Sequence, residues 1–156
     1  MKFREKGYGF EVRVNAEKAV LDAEGKVSFV PTPGEITKYD LPEQDHIQLI
    51  SMVGEGKVVS PFYDSLIIQI ICFGKNRNDA ISKMAEYLDS VVINGICTNI
   101  ALIKRILKDD VFLDGKYDTG YLPAFLQRID SEALIREIEE ASGSFGSSSS
   151  EARRVG

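Results

Sequence analysis

A chain of 156 residues, 44% hydrophobic and 28% charged, can bury one core of its own without metal or disulfide support. Its net charge of −5, from 19 basic and 24 acidic residues, excludes a general attraction to phosphate backbones. A single histidine, His46, excludes multi-histidine metal sites within one chain. Cys72 and Cys97 lack C-x-x-C spacing and read as buried thiols, not as a disulfide framework.

In chain order, Phe10 to Asn15 alternates apolar Phe10, Val12 and Val14 with polar Glu11, Arg13 and Asn15, the period of a half-buried strand. Lys18 to Lys26 reads as a surface loop. Val27 to Val30 is a short strand running into the turn Pro31-Thr32-Pro33-Gly34, and Ile36 to Tyr39 resumes the extended pattern. His46 to Val53 and Lys57 to Val59 flank Gly54-Glu55-Gly56 as an expected hairpin. Tyr63 to Phe73, almost wholly apolar in its second half, is expected to be the central strand.

The period changes at Gly74. Asn76 to Asp79 supplies capping side chains, and Ala80, Ile81, Met84, Ala85 and Leu88 then recur at helical spacing. An apolar run, Val91 to Ile93, precedes Asn94-Gly95. Ile100, Ile103, Ile106 and Leu107 mark a second helix, closed by Asp109-Asp110. Further helices are expected from about Tyr121 and over Ser131 to Ala141, and residues 142–156, rich in Ser and Gly, read as a flexible tail. Strands first and helices later predict one α+β domain over residues 1–141, a mainly antiparallel sheet with C-terminal helices packed on it.

The chemistry open to this chain is narrow. The longest apolar stretch, Leu66 to Phe73, is far short of the roughly 20 residues of a membrane span. The charged opening, Met1 to Gly7, lacks a signal-peptide core, so a cytoplasmic location is expected. No nucleophile elbow accompanies His46, and Gly54-Glu55-Gly56-Lys57 lacks Walker spacing, which leaves neither a hydrolase triad nor a phosphate loop.

The order of several short motifs carries more. Gly7-Tyr8-Gly9-Phe10-Glu11-Val12-Arg13-Val14-Asn15-Ala16-Glu17, followed by Phe29-Val30-Pro31-Thr32-Pro33-Gly34-Glu35-Ile36, resembles the signature opening the C-terminal domain of biotin carboxylases. Pro61-Phe62-Tyr63-Asp64-Ser65-Leu66-Ile67 and Gly74-Lys75-Asn76-Arg77-Asn78-Asp79-Ala80-Ile81 are similar to later family motifs. So are Gly95-Ile96-Cys97-Thr98-Asn99-Ile100 and Gly115-Lys116-Tyr117-Asp118-Thr119-Gly120-Tyr121-Leu122. The resemblance covers about residues 7–127.

It implies an ATP-grasp enzyme in which bicarbonate, activated by MgATP, carboxylates biotin on a carrier. The family's magnesium carboxylates, catalytic glutamate and bicarbonate arginine belong to a segment that this sequence does not hold. Lys83-Met84 is no biotinylation motif. The resemblance therefore implies the C-terminal portion of such an enzyme, inactive alone and binding no metal. ATP, Mg and biotin are then the cofactors of the intact enzyme. Its partners are the ATP-grasp part, the biotin carboxyl carrier protein and a carboxyltransferase, with no nucleic acid and no membrane. A stand-alone interaction module that binds a carboxylase without chemistry is the alternative.

By the same resemblance Arg13 matches the arginine that stabilises the biotin enolate, work suited to a permanently charged planar fork. Glu11 and Asn15 share its face and are candidates to hold it, or to fill ordinary sheet-edge roles. Asp64, at the start of a buried strand, calls for a basic partner, Arg13 or Arg77, or for local backbone amides. Thr119 falls where the family approaches the adenine end of ATP; capping of the helix from Tyr121 is the other reading. Two departures stand out. Gln69 replaces the family's usual lysine, and Glu43, Gln44, Asp45 and Gln48 replace its glycine-rich pairing region, which speaks against dimerisation by the usual surface.

Overall fold

Alternation along the first strand is realised in three dimensions: Val12 and Val14 are buried while Glu11 and Arg13 stay outside. The computed structural model describes residues 7–60 and 65–143. Within them run β1 (Tyr8–Asn15), β2 (Glu17–Leu21), β3 (Val27–Pro31), β4 (Gly34–Glu35), β5 (Lys38–Asp40), β6 (Ile47–Ser51), β7 (Val58–Val59) and β8 (Leu66–Gly74). Then follow α1 (Arg77–Ser90), β9 (Val92–Asn94), α2 (Ile100–Ile106), α3 (Asp110–Leu113), α4 (Tyr121–Arg128) and α5 (Ser131–Ala141). The α+β expectation holds, with every strand pair antiparallel.

β8 is central, in a three-stranded sheet of order β1-β8-β6. Its run of β-branched isoleucines suits a strand paired on both edges. Ile68, Ile70 and Cys72 join Val12 and Val14 against Ile81, Met84 and Leu88 of α1 in the main core. Each fully buried aliphatic side chain there contributes about 1.5–3 kcal/mol. A second cluster, Ala19, Cys97, Leu102, Phe125, Leu134 and Ile138, fastens β2 and β3 to the C-terminal helices.

Several connections differ from the sequence expectation. β6 and β7 do not form a hairpin: β6 pairs with β8, and β7 pairs with β4. Residues 54–57 still turn, with Lys57 N–H donating to the Gly54 carbonyl, but the long apolar edge of β8 offers β6 more pairing than two-residue β7 can. Lys18 to Lys26 is no loop insertion. It holds most of β2 and a turn in which Asp22 Oδ1 accepts the N–H groups of Glu24 and Lys26, both at 2.9 Å, with Gly25 at φ +78°. Asp109-Asp110 does not simply close the second helix. α2 ends at Ile106, with Lys104 and Arg105 favourably placed in its last turn, and Asp110 opens α3. Ser142, assigned to the tail, is buried, and its carbonyl accepts the Gly95 N–H. Residues 144–156, the rest of that tail, lie outside the described residues, as does the Tyr63-Asp64 start of the long strand.

The start of α1 follows its capping sequence. Asn76 accepts from the Asp79 N–H, and Asp79 accepts in turn from the Lys75 N–H at 2.8 Å. Between α1, α2 and α5 lies a groove of about 600 Å³ that holds two ion pairs, Lys104 with Asp89 at 2.7 Å and Arg105 with Glu137 at 2.6 Å. No helix among the described residues is long and apolar enough to cross a membrane.

Asp109 ties the connection between α2 and α3 to α4. Its carboxylate accepts the Tyr121 hydroxyl at 2.8 Å and both terminal nitrogens of Arg128 at 3.1 Å. Arg128 holds Asp109 below the ordinary Asp value, as the Lys75 N–H does Asp79, Lys104 does Asp89, and Arg105 does Glu137 below the ordinary Glu value. A carboxylate with a depressed folded value contributes stability that is full above its unfolded value and is lost as pH falls through the folded one. Glu17 works oppositely, because burial raises it. Denaturant midpoints should therefore be level near neutrality and fall progressively below about pH 5. Asp109→Asn should lower Tm by a few degrees and make the acid limb shallower; an unchanged acid limb would show that the contact is energetically silent.

Candidate functional site

Arg13 stands on the outer face of the three-stranded sheet, where period two places Glu11 and Arg13 on one side of β1. Its cross-strand neighbour on β8 is Gln69, and Ile50 of β6 lies beyond it. The uncharged Gln69 is therefore the residue paired with Arg13 across the two strands. Glu11 approaches Arg13 Nε at 3.8 Å, with 65% of the Arg13 side chain and 45% of that of Glu11 exposed. A long, solvated contact of this kind contributes little energy and leaves the guanidinium's outer edge accessible.

The backbone beneath Arg13 is held from the other side. Among the described residues β1 is an edge strand, and its pairing with β8 shifts register between Val14 and Asn15. Asn99, at the start of α2 and only 8% exposed, fills that edge. Its Oδ1 accepts the Asn15 N–H at 2.8 Å, its Nδ2 donates to the Arg13 carbonyl at 3.1 Å, and its own N–H donates to the Asn15 carbonyl at 3.2 Å. Sequence reasoning placed Asn99 in a motif but gave it no role. Asparagine at a helix start reads as a cap, yet Asn99 makes no side-chain cap bond, and Thr98 Oγ1 accepts the Ile100 N–H at 3.4 Å.

The other candidates scatter. Glu11 and Arg13 come together, whereas Asn15 directs its side-chain hydrogen bond to Glu17, whose carboxyl is raised by burial and lowered in part by that bond. Asp64 lies outside the described residues. Its proposed partner Arg77 donates to the carbonyls of Phe112 and Leu113 at 2.7 and 2.8 Å and lies over the rings of Phe112 and Tyr117. Thr119 is exposed in the loop between α3 and α4. Asp118 serves that helix start instead, its Oδ1 accepting the Gly120 N–H at 2.8 Å.

An exposed guanidinium on a clamped strand can donate two parallel N–H groups to an oxygen that gains negative charge. Among the described residues no group of three or more His, Cys, Asp or Glu gathers as a metal site.

The fold is an α+β domain of antiparallel strands with helices packed on them. The family model for the biotin carboxylase C-terminal domain matches residues 11–124, and the chain belongs to that family. It is 34% identical over 119 residues to biotin carboxylase 1 of Bacillus subtilis, covering 76% of this chain and 25% of that one. It is 35% identical over 116 residues to the small subunit of 2-oxoglutarate carboxylase from Hydrogenobacter thermophilus, covering 74% and 23%. A crystal structure of a biotin carboxylase complex from Campylobacter jejuni superposes with TM-score 0.66 at 32% identity, covering 75% of this chain and 25% of that one. The chain thus spans about a quarter of the length of these relatives.

Proposed function

We propose that this chain is the C-terminal portion of a biotin carboxylase, in which Arg13 faces carrier-bound biotin while an ATP-grasp part activates bicarbonate. The single observation that carries the reading is the placement of Arg13, exposed on a rigid sheet face with its backbone hydrogen-bonded on both sides of Val14. When biotin's ureido nitrogen loses its proton, negative charge develops on the ureido oxygen. The Arg13 fork meets that charge from a strand whose backbone is already fixed beneath it. Glu11, on the same strand face, lies 3.8 Å from Arg13 Nε.

A solved relative holds MgADP, ADP and bicarbonate, in keeping with ATP and magnesium serving the intact enzyme. The ATP-grasp part, a biotin carboxyl carrier protein and a carboxyltransferase are the partners this reading requires. Thr119, in the exposed α3–α4 loop, is proposed as part of the wall near the adenine end of ATP. A stand-alone interaction module has no observation in its favour.

The purified chain should show no bicarbonate-dependent ATP hydrolysis above buffer. Activity should appear only when it is joined to or mixed with an ATP-grasp part. Clear turnover by the chain alone would overturn the assignment of ATP cleavage to another part.

A further inference from the structure

We infer that Asn99 is a positioning residue for Arg13, acting through the β1 backbone. The inference rests on the reading of Arg13 as the biotin-facing group and goes beyond it by naming what sets that group's position. Among the described residues β1 has no strand partner on its outer edge, so the Arg13 carbonyl and Asn15 N–H, which point to the same side two residues apart, find no ladder there. A side-chain amide offers one acceptor and one donor in a fixed plane, the same pair that a neighbouring peptide would present. Asn99 uses both, at 2.8 and 3.1 Å, and adds its own N–H to the Asn15 carbonyl. It therefore stands in for one residue of a missing strand across a separation of 84–86 residues, where pairing with β8 slips between Val14 and Asn15.

Other side chains of similar size do not reproduce this. Aspartate keeps the acceptor for the Asn15 N–H but sets a carboxylate oxygen against the Arg13 carbonyl. Alanine leaves both backbone groups without their partner in a half-buried setting, where an unmade bond is costly. The peptide that carries Arg13 then rotates, and the fork swings with it. A misplacement of about 1 Å at a catalytic group can cost about 100-fold in rate.

The test measures two rates in the full carboxylase containing this chain, carboxylation of free biotin and bicarbonate-dependent ATP cleavage, for the parent, Asn99→Ala, Asn99→Asp, Arg13→Lys and Leu102→Ala. Leu102 is buried in the second cluster, on the same helix as Asn99, and reports general loosening of α2. Asn99→Ala is expected to cut biotin carboxylation about 10- to 100-fold with ATP cleavage within about twofold. Asn99→Asp should fall between parent and alanine, which keeps the inference testable if alanine does not fold. Leu102→Ala should lower Tm and leave the ratio of the two rates unchanged. Adding Asn99→Ala to Arg13→Lys should not lower the ratio further, since both act through one group. If Arg13→Lys uncouples the rates while both Asn99 variants lower them in step, Asn99 is merely structural and the inference is overturned. If Arg13→Lys itself lowers both in step, the reading of Arg13 fails first.

Discussion

Replacing Arg13 by Lys should lower biotin carboxylation about 100- to 1000-fold, the scale seen when one preorganised donor to a developing oxyanion is lost. Bicarbonate-dependent ATP cleavage should stay within about threefold of the parent. The positive charge is kept, so the effect isolates geometry: an ammonium is a hydrated point on a flexible stem and cannot present two parallel N–H groups. Stability should barely move, because the Arg13 side chain is 65% exposed and its only described ion pair, to Glu11, spans 3.8 Å. Steady-state rates with free biotin, read beside the thermal midpoint, check both halves. Equal losses in carboxylation and ATP cleavage would reassign Arg13 to a structural role.

Gly95→Ala should cause the largest loss of stability, about 3 kcal/mol or more. Gly95 has φ +99°, which L side chains rarely adopt, and a Cβ there would lie 2.0 Å from the Glu35 carbonyl oxygen and 2.9 Å from the Thr37 nitrogen. Both neighbours are backbone, held between β4 and β5, so they cannot swing aside as a side chain would. The junction is anchored further by the Gly95 N–H donating to the Ser142 carbonyl and the Thr37 N–H donating to the Asn94 carbonyl. Urea titration followed by far-ultraviolet circular dichroism gives the midpoint. A variant as stable as the parent would show that the β5–β9 junction yields far more easily than its close packing implies.

Much of the fold could be read from local signals. Periodicity located β1, α1 and α5, because each element's apolar pattern matches one buried face, and an almost unbroken apolar run located β8. The run of isoleucines in β8 also pointed to its central place. Pairing was harder to read: Gly54-Glu55-Gly56 marks a turn, but nothing local says that β6 will turn to β8 and β7 to β4. β2 was missed because Glu17, Lys18 and Ala19 have weak strand preference and are held by the hairpin with β3 and the helices behind it. At the site, the motif singled out Arg13, while its alternation gave only an exposed strand-face arginine. Asn99 escaped notice because its partners lie more than 80 residues away, a distance no local pattern spans.

The same separation bears on how the molecule acquires its shape. The β2–β3 hairpin can close from neighbouring residues, but β1 must wait for β8, and its last stretch of backbone must wait longer still, for α2. Contacts so distant in sequence are closed against a large loss of chain entropy and are slow to form. The edge beneath Arg13 is thus among the last parts to consolidate. A refolding experiment that follows the Asn15 amide by pulsed hydrogen exchange would see it gain protection after the hairpin, so that the backbone carrying Arg13 is set only at the end of folding.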